Sequence, residues 1–228
     1  MPRRKTLKGR RVRRTTHLSS NAQKEVRAIA RQVARSMPET KNTVFTEENI
    51  QLYHNKVLYL GKWLASQQGT ADPNDGASRL MRIGDELLLR NINVRFWLSN
   101  KSDRPNVMYK AYLFWYDTGA SLSDTFCYFT QGNKMLDRVN NENISVIDQK
   151  TIFSQYNYAV DANNHERSQL MTLKASWKGK KITYDEGGQA PKKRDLGVML
   201  VCYDAYGTLQ TDNIASCAYN GTVAYQDP

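Results

Sequence analysis

From Asn91 to Leu98 apolar and polar positions alternate, with Ile92, Val94, Phe96 and Leu98 on one side and Asn91, Asn93, Arg95 and Trp97 on the other. That is the period of a half-buried β-strand. Residues 99–106 then concentrate turn formers, and Pro105 removes a backbone donor that a central strand needs, so the chain leaves the sheet there. It re-enters at Val107. Val107, Tyr109, Ala111, Leu113 and Trp115 lie opposite Met108, Lys110, Tyr112, Phe114 and Tyr116. Both faces are largely apolar or aromatic, which predicts a strand covered on both sides or facing a partner. The same reading places eight strands, at 49–60, 86–98, 107–117, 125–130, 144–153, 168–178, 196–205 and 214–225. The first carries Tyr53, Val57 and Tyr59 and ends near Gly61. The sixth sets Met171, Leu173, Ala175 and Trp177 against Thr172, Lys174 and Ser176. The seventh, Leu196 to Tyr203, is a continuous apolar run suited to a sheet interior. Long polar connections at 68–78, 117–124, 131–143 and 178–195 exceed what a simple sandwich needs. Eight strands with such connections over about 190 residues fit a double-sheet jelly roll, an eight-stranded antiparallel β-sandwich, better than an immunoglobulin-type domain.

Upstream of the strands the period changes. Between Ala22 and Met37 it is helical: Val26, Ile29, Val33 and Met37 fall within a stripe of about 80°, while Lys24, Arg27, Arg31 and Arg35 cluster roughly opposite. Thr15, Thr16, Ser19, Ser20 and Asn21 offer N-caps, and Pro38 ends the helix. A short amphipathic helix over 22–37 is therefore expected. Its basic side reads either as a solvated face on a helix docked against the β-domain or as a phosphate-facing surface.

Charge separates these two regions. Residues 1–35 hold twelve basic residues (Arg3, Arg4, Lys5, Lys8, Arg10, Arg11, Arg13, Arg14, Lys24, Arg27, Arg31 and Arg35) against the single acid Glu25, a net charge of +11. Since the whole chain also carries +11, residues 36–228 are neutral. The run PRRKTLKGRRVRR at 2–14 has almost nothing to place in a core and repels itself, so it is expected to stay unfolded until it meets a polyanion. The chain thus divides into a basic arm with its helix, 1–37, and a β-domain, 38–228. Arginine and lysine bind phosphates through counterion release, which sets affinity and not sequence choice. The same cluster would also serve as a nuclear-import signal. Shorter basic clusters occur in the β-domain at Lys178, Lys180 and Lys181 and at Lys192, Lys193 and Arg194.

Three cysteines without CxxC spacing, Cys127, Cys202 and Cys217, argue against a disulfide framework or zinc site and for a reducing compartment. No apolar run is long enough to span a bilayer and the N-terminus lacks an apolar signal region, so a soluble protein made inside the cell is expected. Catalytic patterns are absent: no GxxxxGK[ST] loop, no GxSxG elbow and no HExxH helix. His17, His54 and His165 have no ligand spacing and read as structural or solvated. No catalytic residue, metal site or cofactor is expected. The β-domain holds all four tryptophans, Trp63, Trp97, Trp115 and Trp177, and most of the tyrosines, residue types shared by cores and protein interfaces.

Residues 84–119 carry a family likeness. Gly84-Asp85-Glu86, the run NINVRFWLSN at 91–100 and Asp103-Arg104-Pro105-Asn106-Val107-Met108-Tyr109 resemble the capsid proteins of circular, Rep-encoding single-stranded DNA viruses, the circovirus-like and geminivirus-like group. The resemblance implies a single viral jelly roll assembling into a small icosahedral shell, T=1 with sixty subunits, around a single-stranded genome. It implies that the twelve basic residues of 1–35 contact nucleic acid, and that 84–119 is scaffold and subunit interface. Sixty such arms would bring in about 660 positive charges, enough to offset a comparable number of phosphates. The helix after the arm is equally a feature of satellite plant-virus coats, which enclose RNA. A flexible basic chain does not read the 2′-OH, so the choice of DNA rests on the resemblance. The expected partners are single-stranded nucleic acid, further copies of the chain and nuclear import receptors; the expected locations are the virion and the host nucleus. A satellite-like RNA coat and a non-assembling nucleic-acid-binding β-barrel remain as alternatives. The barrel would carry a basic, aromatic groove on the domain itself.

Overall fold

The structure is a computed structural model that describes residues 19–36, 40–69, 81–153, 167–205 and 209–227. The chain divides into two units, Met1–Pro38 and Glu39–Pro228. In the first, helix α1 spans Ser20–Ser36. Ser19 is its N-cap: its hydroxyl accepts from the Ala22 N–H at 3.2 Å, and its carbonyl accepts from Gln23 at 2.9 Å. Val26, Ile29 and Val33 are all exposed on this helix. Met37 and Pro38, expected to end it, lie outside the described residues.

In the second unit, strands β1 (Thr40–Tyr53), β2 (Val57–Leu60), β5 (Glu86–Asn100), β6 (Val107–Asp117), β7 (Ile144–Phe153), β8 (Ser168–Thr183), β9 (Arg194–Asp204) and β10 (Asn213–Gln226) form two antiparallel sheets. Their orders are β1-β10-β5-β8 and β2-β9-β6-β7. A small parallel pair, β3 (Gln67–Gln68) with β4 (Met81–Arg82), stands apart. The chain passes between the two main sheets repeatedly, and sequence neighbours such as β5 and β6 sit in opposite sheets. This is the wiring of an eight-stranded jelly roll.

The alternation along β5 becomes the core. Ile92, Val94, Phe96 and Leu98 are all fully buried, and they face Tyr109, Ala111, Leu113 and Trp115 of β6 and Leu196, Val198, Leu200 and Cys202 of β9. The opposite face of β6 is covered as well. Tyr112, Phe114 and Tyr116 pack with Met199, Ile144, Cys127 and Tyr128 under the connection that follows β6. The two-sided apolar pattern of residues 107–116 is thus satisfied within the chain.

Two expected strands differ. Residues 49–60 are not one strand: His54 to Lys56 turn, with Asn55 at φ 54°, and the halves enter different sheets as β1 and β2. The missed half, Thr40 to Glu48, is polar because β1 pairs only with β10 at a sheet edge and needs few apolar residues. The expected strand at 125–130 is instead a short helix, α2 (Asp124–Cys127), with an isolated bridge at Tyr128. Its start is set by Ser123, whose hydroxyl accepts from the Phe126 N–H at 3.3 Å. Asp124, in the first turn, also pairs with Lys134 at 2.8 Å and accepts from the Tyr59 hydroxyl at 2.7 Å. Capping and these tertiary partners override the aromatic content of Phe126, Tyr128 and Phe129.

Polar groups tie the connections to the sandwich. Asp195 accepts from the backbone of Leu64 at 2.9 Å and of Leu196 at 2.7 Å, and burial pushes its carboxyl up to about 6 against those donors. Gly221 is required where it stands, because a Cβ there would lie 2.1 Å from the Trp63 ring. Arg82 has no exposed surface: it donates to the carbonyls of Ser66 at 3.0 Å and Gly188 at 2.8 Å, and its guanidinium sits 4.0 Å from the centroid of Tyr184. Arg82→Met is expected to lower stability by about 3 kcal/mol, since two buried carbonyls lose their donor while the stem volume is kept. Urea denaturation of the two proteins checks this, and an unchanged midpoint contradicts it.

Candidate nucleic-acid interface

Of the twelve basic residues predicted to meet nucleic acid, Arg3, Arg4, Lys5, Lys8, Arg10, Arg11, Arg13 and Arg14 lie outside the described residues. Lys24, Arg27, Arg31 and Arg35 fall within α1, and the side chains of Lys24 and Arg27 are exposed. At 1.5 Å per residue these four positions extend over about 16 Å of helix, with intervals that keep them near one stripe.

The β-domain adds a feature that sequence reading left as two separate clusters. Lys180 and Lys181 lie near the end of β8, whereas Lys193 directly precedes Arg194, the first residue of β9, and both pairs line one cleft with Trp115 of β6. The connection between them folds back on itself, with Tyr184 bridged to Pro191 and the Lys192 N–H donating to the Thr183 carbonyl at 2.8 Å, and β8 carries a bulge just before its basic pair. Opposite Leu89 and Asn91 of β5, β8 skips from Lys180 to Ser176, and Gly179 takes φ +89°, a conformation that disfavours side chains with a Cβ. Beyond the bulge Lys180 places its ammonium 4.2 Å from the Trp115 ring centroid, and Trp177 packs on the same indole at 5.6 Å. The result is a cleft of about 230 Å³ with Trp115, Ile182 and Pro191 as apolar lining and the four cations around them.

Two of these cations are committed to acids. Lys181 pairs with Glu86 at 2.5 Å; Arg194 lies 3.5 Å from Asp117 and donates to the Ser145 hydroxyl at 3.2 Å. Lys180 and Lys193 have no carboxylate within 4 Å among the described residues. A sequence signal existed, because each cluster contains adjacent cations beside a turn. What linear order does not give is that 180 and 193 meet.

A second exposed feature lies on the outer face of the first sheet. Trp97 of β5 is 59% exposed and pairs in register with Leu170 of β8, itself 61% exposed. They form an apolar patch on a face otherwise lined by residues such as Asn93, Arg95 and Thr172. His54 takes no part in either site. It is buried, and its Nδ1 accepts from the Asp204 N–H at 3.2 Å; His17 and His165 lie outside the described residues. The three cysteines are free and buried. Among the described residues no group of three or more acidic, histidine or cysteine side chains could hold a metal ion, and no helix is long and apolar enough to cross a membrane.

No described protein family matches the chain, and no curated protein matches it. Among solved structures it is similar to that of infectious bursal disease virus, Gx strain, with a TM-score of 0.33 and 11% identity over 82% of this chain and 32% of that one. It is also similar to Desmodium yellow mottle tymovirus, with a TM-score of 0.34 and 8% identity over 84% of this chain and 89% of that one. The empty head of turnip yellow mosaic virus gives 0.33 and 11% over 84% and 82%. The chain spans about a third of the length of the first of these. Similarities of this size add nothing to what the strand order already establishes.

Proposed function

We propose that the chain is a viral capsid protein whose jelly roll builds a closed shell and whose residues 1–35 lie against a single-stranded genome. The observation that carries this reading is the partition of charge: a net +11 confined to the first 35 residues, followed by a neutral eight-stranded jelly roll. A neutral shell-forming domain can pack against copies of itself without accumulating repulsion, while the arms neutralise phosphates. The exposed Trp97 and Leu170 supply an apolar contact for a second copy. A circular single-stranded DNA genome and a sixty-subunit shell follow from the likeness of residues 84–119 to Rep-encoding viruses. The arm would then also direct the subunit to the nucleus. A non-assembling binding protein built on a five-stranded barrel is disfavoured by the two four-stranded sheets.

Electron microscopy of the purified protein, with the ratio of absorbance at 260 and 280 nm on the same fraction, tests the proposal. Closed particles of uniform diameter containing nuclease-protected nucleic acid are the expected result, and digestion after disassembly with DNase or RNase identifies the genome. A monodisperse monomer or dimer that binds nucleic acid reversibly overturns it.

A further inference from the structure

We propose that the cleft formed by Trp115, Lys180, Ile182, Pro191, Lys193 and Arg194 is a second nucleic-acid site, separate from the arm, that holds one nucleotide of a single strand. The inference rests on the reading that the chain binds single-stranded nucleic acid, and it assigns part of that binding to the β-domain.

Size is the first argument. At about 230 Å³ the cleft falls below the roughly 300–1,000 Å³ that encloses a drug-sized ligand. One flat ring fits, and a charged group attached to it remains at the mouth. The lining matches that division. Ile182, Pro191 and Trp115 are buried residues that reach the cleft only by their edges and form its apolar floor, and the exposed cations stand at the rim. Single-strand sites combine the same two elements, an apolar or aromatic platform and a basic track for the backbone.

The charges are also held in place. The negative face of the Trp115 indole attracts the Lys180 ammonium at 4.2 Å, which limits the freedom that a surface lysine otherwise loses on binding. Lys180 and Lys193 lack acidic partners among the described residues, so a phosphate need not displace a carboxylate to reach them. Arg194 is oriented by Asp117 and Ser145 and adds a planar donor on the same side. Lysines acting as point charges imply phosphate contacts without base choice, which suits a protein that must take any sequence. Sulfated polysaccharides would satisfy the cations but bring no flat ring for the apolar lining, so a nucleotide is the better match.

The test uses the full-length chain and the oligonucleotide (dT)30, whose phosphates outnumber the contacts of arm and cleft together. Ultraviolet cross-linking followed by mass spectrometry is expected to give adducts at residues of the cleft, on the β8–β9 segment or at Trp115, in addition to adducts in residues 1–37. Replacing two phosphate contacts, in Lys180→Ala with Lys193→Ala, is expected to remove the cleft adducts and to reduce the slope of log K against log salt by about 1.4, at roughly 0.7 per contact for single strands. Both lysines are surface groups, and cross-linking of the unaltered chain tests the site even if the variant folds poorly. Adducts confined to residues 1–37, or an unchanged slope in a folded variant, overturn the inference. So does a variant that loses heparin binding while its (dT)30 slope and adducts persist, because the cleft would then take a sulfated polysaccharide. The shell reading is judged separately: cleft adducts on a protein that forms no particles leave this inference standing and remove that one.

Discussion

Removal of residues 2–35 is expected to abolish nucleic-acid retention at moderate salt while leaving the jelly roll folded. The truncation takes away all of the excess positive charge, twelve basic groups against one acid. If all twelve contact phosphates, the lost slope of log K against log salt is about 8 for a single strand, or close to five orders of magnitude in affinity between 50 and 200 mM salt. The cleft beside Trp115, with two uncommitted lysines, recovers only a small part of that and does not retain a strand through purification. The fold should survive, since every buried residue among those described lies at Thr43 or beyond. Helix α1 contributes no buried side chain to that set. Size-exclusion chromatography with absorbance at 260 and 280 nm, beside a thermal melt followed by circular dichroism, reads both halves of the prediction. A truncated protein that melts without cooperativity, or that still elutes with nucleic acid at 200 mM salt, contradicts it.

How much of this was readable from residue order depends on how local the cause is. The strand pattern of 91–98 and 107–116 predicted the central pair of the fold, and Ile92, Val94, Phe96 and Leu98 are buried as the alternation required. The expected eight-stranded jelly roll is the fold observed, although two of its eight strands were misplaced in compensating ways. Residues 125–130 were read as a strand from their aromatics, but Ser123 and Asp124 start a helix there. Residues 40–48 were missed because an edge strand does not need the alternation by which strands are recognised. The arm was legible at once, since charge excess is a property of composition. The cleft was not: Lys180 and Lys193 line it together only because the segment after β8 folds back on itself, with Tyr184 bridged to Pro191 and the Lys192 N–H donating to the Thr183 carbonyl at 2.8 Å.

Trp97 and Trp115 each follow a phenylalanine, but alternation sets Trp97 beside Asn93 and Arg95 and Trp115 beside Tyr109 and Leu113, and the structure places them on opposite sides of the burial boundary. Trp115 is 7% exposed and packs on Trp177 between the sheets, so Trp115→Ala is expected to cost about 3–5 kcal/mol. For a chain of this size that corresponds to a fall in melting temperature of roughly 10 °C. Trp97 lies on the outer face of β5, opposite Leu170, and is 59% exposed. Trp97→Ala removes few internal contacts and is expected to change stability by no more than about 0.5 kcal/mol. Its effect should fall on assembly. A tryptophan buried at the centre of a subunit contact commonly carries 2 kcal/mol or more, and a closed shell repeats the deficit at every equivalent contact. Denaturation midpoints and particle counts by electron microscopy, taken on both variants, separate the two roles. Trp97→Ala that assembles normally would move the subunit contact to another face of the sandwich. Trp115→Ala with unchanged stability would mean that the space between the sheets closes over the loss, contrary to the packing described.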